Sequence, residues 1–355
     1  MENQSMPLYQ TCTRLLLLGF TGLALATGCS SGHVRLTNEV PHTDKPFADQ
    51  PENFQFVIVG DRTGGHRPGV FRHAMERVNQ LQPEFVVGVG DLIEGYKEDE
   101  QELQRQWDEF DNIVDQLDMP FFYTVGNHDI GNEMMRDLWQ RRHGSTYYHF
   151  VYRNVLFMSL NTEDPPILLS EEILAKQAWL EDMMLKDPKK IRRLLRERRQ
   201  KMGVDEKQVK LPGAVSISDT QQAWAEKLLA DHPDVRWTIL LMHKPAWEYD
   251  SPAFKHIEEL MRERPYTVIA GHEHYFNYSR RIERDYVTMA TTGGVWLSEQ
   301  GGSFDHIAWV TMTEEGPQIS NIALCGLLGT PQQTAEIISN DQASEFCFRP
   351  EELIE

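Results

Sequence analysis

The sequence has few cysteines, an excess of acidic over basic residues, and no linker-like stretch in its middle. Four cysteines in 355 residues exclude the small scaffolds that depend on disulfides. With 35 basic and 54 acidic residues, the net charge of −19 argues against a broad nucleic-acid groove, because affinity for a polyanion depends on Lys and Arg. No Pro-, Gly- or Ser-rich linker interrupts residues 50–330, which favours one large domain. The Gly-x-Ser-x-Gly turn of serine hydrolases is also absent.

The first thirty residues have the pattern of an export signal. Arg14 precedes an apolar run over residues 15–26, which is too short to span a bilayer, and Thr27-Gly28-Cys29 follows it. This ending resembles a bacterial lipobox, which implies a signal peptide over 1–28, cleavage before Cys29 and lipidation of its thiol. A plain secretory signal with an incidental cysteine is the alternative. We therefore expect an extracytoplasmic protein anchored to the membrane, with a flexible tether over 29–52.

The remaining cysteines leave one question open. Cys12 would leave with the signal and Cys29 would be acylated, so Cys325 and Cys347 would remain in the mature chain. An extracytoplasmic location permits a disulfide between them, but the sequence does not establish that they are close.

Apolar runs and helical patterns alternate from residue 54 onward. Three β-rich runs, at 54–60, 84–90 and 120–126, are separated by helical patterns near 69–81 and 100–117. This order is typical of buried parallel strands with crossover helices. A hairpin is predicted from the strands at 147–152 and 154–161, and two single strands are predicted at 236–242 and 266–270. An antiparallel set of strands follows at 275–282, 286–291, 307–313 and 318–324. The order predicts two sheets faced by helices, a layered α/β arrangement.

Residues 164–212 have the pattern of a helical insertion within a domain that spans 53–328, followed by a C-terminal tail over 329–355. Helices are predicted at 170–186 and 189–201, and Ser218 to Gln221 matches a capping box that opens another helix. The stretch 189–201 holds eight basic residues and one acidic residue. It fits a solvated helix that pairs with the acidic body, or one that contacts anionic lipid headgroups.

Metal-binding residue types follow the predicted strands directly, where ligands bind in open α/β sheets. They occur in five places: Gly60-Asp61, Gly90-Asp91, Gly126-Asn127-His128-Asp129, Met242-His243 and Gly271-His272-Glu273-His274. Carboxylate, carboxamide and imidazole groups, with no thiolate among them, suit Mn, Fe or Zn. The pair Asp305-His306 could also reach the mouth of such a site.

The spacing of these motifs resembles that of the calcineurin-like metallophosphoesterases from about Phe54 to Leu327. The resemblance rests on Gly126-Asn-His-Asp129 followed by Gly271-His-Glu-His274. It implies a four-layer α/β/β/α sandwich with two mixed sheets and two divalent metal ions, Mn, Fe or Zn, at the strand ends. It also implies hydrolysis of small phosphomonoesters or phosphodiesters by a metal-activated water.

The same resemblance assigns roles to individual residues. Asp91 would bridge both metals, Asn127, His243 and His272 would complete one site, and Asp61 and His274 would serve the other. His128 would lie beside the substrate phosphate, with Asp129 orienting it.

One position departs from the family pattern. The usual Asp-x-His motif is Asp61-Arg62-Thr63 here, so the first metal site is one ligand short. Glu94, water or, more remotely, His66 could fill the place. Purple acid phosphatases use a tyrosine three residues after the bridging aspartate, but in this chain that position is Glu94 and the nearby Tyr96 is two residues further on. Arg62 could then bind a phosphate oxygen. The alternative to an enzyme is a catalytically weak relative that binds metal.

Overall fold

The computed structural model describes residues 34–35, 40–47, 53–166, 169–187, 190, 193–194, 197, 214–296, 302–324 and 326–329. All of them belong to one unit of the chain, 32–355. The predicted signal peptide, Cys325, Cys347, most of the basic stretch 189–201 and the tail beyond residue 329 lie outside the described residues. Within the described ranges, no helix combines the length and the apolar character that a bilayer crossing requires.

The strands form two mixed sheets. They are β1 (Val34–Arg35), β2 (Phe54–Val59), β3 (Phe85–Gly88), β4 (Phe121–Phe122), β5 (Tyr148–Tyr152), β6 (Val155–Ser159), β7 (Trp237–Leu241), β8 (Tyr266–Ala270), β9 (Asn277–Arg281), β10 (Arg284–Thr288), β11 (His306–Thr313), β12 (Gly316–Ala323) and β13 (Gly326–Gly329). The six-stranded sheet has the order β13-β12-β11-β2-β3-β4, and the seven-stranded sheet has the order β1-β5-β6-β7-β8-β10-β9. In each sheet a parallel run, β2-β3-β4 or β6-β7-β8-β10, is extended by antiparallel strands.

The helices lie outside the sheets. They are α1 (Val70–Leu81), α2 (Glu100–Val114), α3 (Asn127–Ile130), α4 (Glu133–Arg142), α5 (Glu171–Lys186), α6 (Asp219–Asp231) and α7 (Pro252–Leu260), with a 3-10 turn at Ala246–Glu248. Helices α1, α2 and α4 cover the outer face of the six-stranded sheet, and α6 and α7 cover the outer face of the seven-stranded sheet. These layers confirm the four-layer α/β/β/α prediction.

A central core of aromatic side chains joins the two sheets. Phe56 and Phe85 stack with ring centroids 5.3 Å apart, and Phe157 of the facing sheet meets both edge-on at 5.2 and 5.3 Å. All three are fully buried, and each such side chain contributes on the order of 1.5–3 kcal/mol to stability. Alternate residues within the strands fill this core, and the polar residues of the predicted site lie beyond the strand ends.

The predicted flexible tether is wrong in part, because two of its segments pack on the domain. Strand β1 pairs with β5, and Val40 is buried. The hydroxyl of Thr43 accepts a hydrogen bond from the Phe121 backbone N at 2.9 Å, which covers the edge of β4. Phe47 stacks on Tyr152 at 5.1 Å.

The start of α6 confirms one half of the predicted capping box. Ser218 Oγ accepts a hydrogen bond from the Gln221 backbone N at 3.2 Å. The Gln221 side chain does not return to the cap, because it is buried and pairs with both backbone groups of Asn161 at the end of β6. Beside it, the start of the insertion pairs with a residue just beyond its predicted end, since Asp164 N donates to Ser216 O at 2.9 Å.

Candidate metal centre

The predicted donor residues converge at the carboxyl ends of the parallel strands of both sheets. Asp61 follows β2, Asp91 follows β3, His243 follows β7, and His272 and His274 follow β8, while Asn127 begins α3 just after β4. All six side chains belong to residues that are at most 9% exposed. The carboxyl ends of parallel strands meet at one edge, so residues far apart in sequence come together there.

The first cluster surrounds one nitrogen of His243. Its Nε2 lies 3.1 Å from Asp91 Oδ2, 3.1 Å from Asn127 Oδ1 and 3.2 Å from His272 Nδ1. One N–H cannot satisfy three acceptors. Ligands roughly 2.0–2.2 Å from a zinc-like cation stand about 3.0–3.5 Å from one another, so these separations match the edges of a coordination shell.

A second cluster consists of Asp61, Asp91 and His274, whose ligand atoms lie within 4.8 Å of one another. Asp61 Oδ1 lies 3.7 Å from His274 Nε2 and accepts a hydrogen bond from the His272 backbone N at 2.9 Å. The other oxygen, Asp61 Oδ2, is buried and has no hydrogen-bond partner. A buried carboxylate oxygen left unpaired is costly unless a cation occupies the space beside it, so the residues fit a metal ion.

Backbone carbonyls fix the tautomers of two of the histidines. His243 Nδ1 lies 2.9 Å from Val89 O, and His274 Nδ1 lies 2.6 Å from Val295 O. Each Nδ1 therefore donates to a carbonyl, which directs Nε2 toward the carboxylates. This is the second layer of contacts by which proteins orient metal-binding imidazoles.

Asp91 belongs to both clusters and is held closely by its surroundings. Its Oδ1 accepts a hydrogen bond from the His128 backbone N at 2.9 Å, while Oδ2 faces His243. A Cβ at Gly126 would overlap both Oδ1 and the backbone N of Asp91, so only glycine permits this approach.

Burial and charge shift the pKa values of the site residues, for Asp91 and His243 in opposite directions. Burial acts to raise the pKa of Asp91, but the charges of His243 and His128 outweigh it and hold that pKa far below its ordinary value. Burial raises the pKa of Asp61 and lowers that of His272. Burial also acts to lower the pKa of His243, but its contact with Asp91 raises it to about 9. Without a cation, the His243 imidazole therefore carries the proton that compensates Asp91.

His128 lies beside the two clusters with its ring held from two sides. Nδ1 lies 2.7 Å from Glu94 O, and Nε2 lies 4.0 Å from Asp91 Oδ2. The ring of Tyr96 meets it edge-on at 4.8 Å. Nε2 thus faces Asp91, the residue that the two clusters share.

Asp129 differs from the expected contact with His128. Its carboxylate accepts hydrogen bonds from the backbone amides of Gly126, Asp91, Leu92 and Ile93, at 2.8–3.2 Å. Burial, followed by the charge of Asp91, raises its pKa to about 7. Asp129 therefore joins the loop after β3 to the start of α3.

The structure gives the Arg62 guanidinium partners within the protein, whereas the sequence predicted a phosphate contact. The guanidinium donates to Leu92 O at 2.9 Å and to Glu109 Oε1 at 2.6 Å, and it lies over the ring of Phe110 at 5.7 Å. Its side chain is only 5% exposed. These contacts commit Arg62 to the packing of α2 against the loop after β3.

The loop after Asp61 packs against the second cluster, and neither of the predicted substitutes for the missing histidine, Glu94 and His66, belongs to that cluster within the part of the chain that the structure describes. The Glu94 carboxylate instead accepts hydrogen bonds from Gly65 N and His66 N, at 3.1 and 2.5 Å. Gly64, at φ +80°, passes so near that a Cβ would lie 2.7 Å from the ring of His274. The backbone at Gly64 is therefore packed against the His274 ring.

Asp305 and His306 are structural. His306 is fully buried, accepts from Ala290 N at 3.0 Å and pairs with Asn321 Oδ1 at 3.1 Å, and burial lowers its pKa to about 3. Asp305 pairs with Arg67 and accepts from the backbone N of Gly293. Both residues thus hold the loop at 291–294 that packs behind Asp61.

A buried ion pair that the sequence did not predict lies next to the site. Lys244 Nζ lies 2.6 Å from Glu163 Oε1, and both side chains are at most 4% exposed. Lys244 also donates to Ala214 O at 3.1 Å. Its place directly after His243 was the signal available in the sequence.

Comparisons with known proteins identify the family of the chain. The sequence profile of the calcineurin-like phosphoesterase family matches residues 54–276, more than half of the chain. Among solved structures, a purple acid phosphatase from yellow lupin (Lupinus luteus) seeds is similar with a TM-score of 0.51 and 13% identity, over 79% of this chain and 53% of the lupin chain. A dimetal phosphatase from Danio rerio has a TM-score of 0.48 and 13% identity, over 76% of this chain and 95% of its own. No curated protein sequence matches the chain.

The chain belongs to the calcineurin-like phosphoesterase family. It is a metal-dependent phosphoric ester hydrolase, and the family implies a dinuclear centre of divalent metal ions. This confirms the family, the fold and the reaction class expected from the motifs.

Proposed function

We propose that the protein hydrolyses small phosphate monoesters or diesters, outside the cytoplasm, at a dinuclear centre bridged by Asp91. The proposed ligands of one ion are Asp91, Asn127, His243 and His272, and those of the other are Asp61, Asp91 and His274. The observation that carries the proposal is the arrangement of two donor clusters that share Asp91 and lie beside His128.

Two cations bound there would supply a nucleophile by lowering the pKa of a shared water and would neutralise charge on the phosphoryl oxygens. The chain itself contributes position and proton transfer. Because Nδ1 of His128 is bound to Glu94 O, only Nε2 can hydrogen-bond a phosphoryl oxygen or give a proton to the leaving oxygen. A positioned acid of this kind contributes about 10²–10⁴-fold in rate.

The test is metal content together with turnover. Purified protein should hold two ions per chain when saturated with Mn²⁺ or Zn²⁺ and should hydrolyse 4-nitrophenyl phosphate or its bis ester. Asp91→Asn should lose both ions and all measurable turnover, because one carboxylate serves both sites. The matched control is Asp137→Asn, since the Asp137 side chain is 56% exposed and pairs with a neighbouring arginine on α4. Bound metal without turnover on either ester would favour the catalytically weak alternative, for which Thr63 is the argument.

The location outside the cytoplasm is proposed from the N-terminal sequence alone. Arg14, the apolar run 15–26 and Cys29 support cleavage after residue 28 and lipidation of Cys29. The mature protein should be released from membranes by detergent and not by salt, and Cys29→Ala should block its maturation. An intact mass showing an unmodified Cys29 would remove the anchor from the proposal.

A further inference from the structure

Tyr96 contacts the candidate centre at more places than the edge of the His128 ring. Its hydroxyl lies 3.0 Å from Asn127 Nδ2 and accepts a hydrogen bond from it. Its ring meets His128 edge-on at 4.8 Å, and it lies so close to the backbone of Gly131 that a Cβ there would overlap the ring. One side chain therefore touches three residues of the segment 127–131.

The backbone of Tyr96 is strained where it makes these contacts. Its φ is +49°, in the left-handed region that bulky side chains rarely adopt. Such a conformation persists only where the surroundings hold it, and it clusters at functional sites. Here the surroundings are Met135, whose Sδ accepts from the Tyr96 backbone N at 3.2 Å, and the segment 127–131.

The contact with Asn127 bears directly on metal binding. A carboxamide has an oxygen at one corner and a nitrogen at the other, and only the oxygen is a good ligand. Asn127 Oδ1 lies 3.1 Å from His243 Nε2 while Nδ2 faces Tyr96. The hydrogen bond from Asn127 Nδ2 to the Tyr96 hydroxyl fixes the plane of the amide. It therefore directs Asn127 Oδ1 into the cluster before a cation binds.

We propose that Tyr96 is a positioning residue, which orients Asn127 for the metal ion and supports His128 through its ring. This inference rests on the proposed function, in which Asn127 is a ligand. Two consequences can be separated, because the hydroxyl acts on metal affinity and the ring acts on the catalytic imidazole. Mutation of residues that hold a metal ligand in place typically lowers metal affinity by about 10–100-fold.

The experiment is a titration of metal-free protein with Zn²⁺, comparing wild type, Tyr96→Phe and the control Tyr123→Phe. The Tyr123 hydroxyl also bonds a side chain, Asp111, but it does so in the helical layer and away from the centre. Tyr96→Phe should weaken one of the two binding steps about tenfold, while Tyr123→Phe should leave both unchanged. Wild-type affinity in Tyr96→Phe would overturn the proposal.

A double-mutant cycle with Asn127→Ala separates orientation from general destabilisation. If Tyr96 acts through Asn127, adding Tyr96→Phe to Asn127→Ala should change the affinity no further. Additive losses would show that the phenol acts elsewhere and would contradict the proposal.

Turnover gives a third readout. Saturating metal should restore most of kcat in Tyr96→Phe, and it should not do so in Tyr96→Ala, which also lacks the ring against His128. Equal kcat in the two variants at saturating metal would refute the role of the ring. The metal titration does not depend on turnover, so an inactive wild-type protein would count against the proposed function alone.

Discussion

Gly271→Ala is expected to remove one metal ion and leave the other. Gly271 lies between the end of β8 and His272, and a Cβ there would stand 2.5 Å from Asp61 Oδ2, the unpaired oxygen of the second cluster. Ordinary contacts begin near 3.4 Å, so the carboxylate must move by about 1 Å, and a displacement of that size costs on the order of 10²-fold in rate. Val89, 3.0 Å from the same Cβ, limits the room for relief.

The assay is metal content per chain after dialysis, with kcat measured on 4-nitrophenyl phosphate. We expect the variant to keep the ion at Asn127, His243 and His272, to lose the ion at Asp61 and His274, and to fall roughly 10²-fold in kcat, about 2.7 kcal/mol. Asp137→Asn, at a half-exposed side chain on α4, is again the control. Two tightly held ions and normal turnover in Gly271→Ala would refute the placement of Asp61.

Three further predictions concern the same centre. His128→Ala should keep both ions and lose about 10²–10⁴-fold in turnover, most severely for esters with poor leaving groups; loss of metal would make His128 a ligand. The ion at Asp61 and His274 should leave first on mild chelation, and Thr63→His should retain it longer, as metal analysis of chelated samples would show. Below pH 9, metal affinity at His243 should increase about tenfold for each unit by which the pH is raised. The reason is that the cation displaces a proton from an imidazole whose pKa is raised to about 9. Calorimetry at pH 6 and pH 8 checks this last prediction, and equal affinities would contradict it.

The strand ends could be predicted because local pattern and topology point the same way. An apolar run such as 84–90 predicts a buried strand, and parallel strands of one sheet bring Asp61 and Asp91 to one edge whatever their separation in sequence. His272 follows β8 of the other sheet. The family motifs then group these residues into two sets of ligands. The structure brings together the same groups.

What the sequence did not predict depends on contacts between distant elements. Arg62 precedes Thr63 at the site, yet Glu109, 47 residues further on, draws its guanidinium into the helical layer. Gln221 has the residue type and position of a capping box but is drawn to Asn161, 60 residues away. A polar side chain can form hydrogen bonds of similar energy with several partners, so the partner that it contacts is decided by the packing of the folded structure.

The segment before the domain is a second place where the sequence did not predict the packing. Residues 34–47 are polar with scattered prolines, which predicts a tether, but Val40 and Phe47 find apolar partners on the sheet edge. A few apolar residues suffice when an exposed edge is available for pairing.

The dinuclear centre itself is tested most directly by anomalous diffraction from crystals grown with Mn²⁺ or Zn²⁺. The account predicts two peaks about 3.5–4 Å apart, on either side of the Asp91 carboxylate, with Asn127 beside one and Asp61 beside the other. A single peak, or two peaks that do not share Asp91, would contradict it.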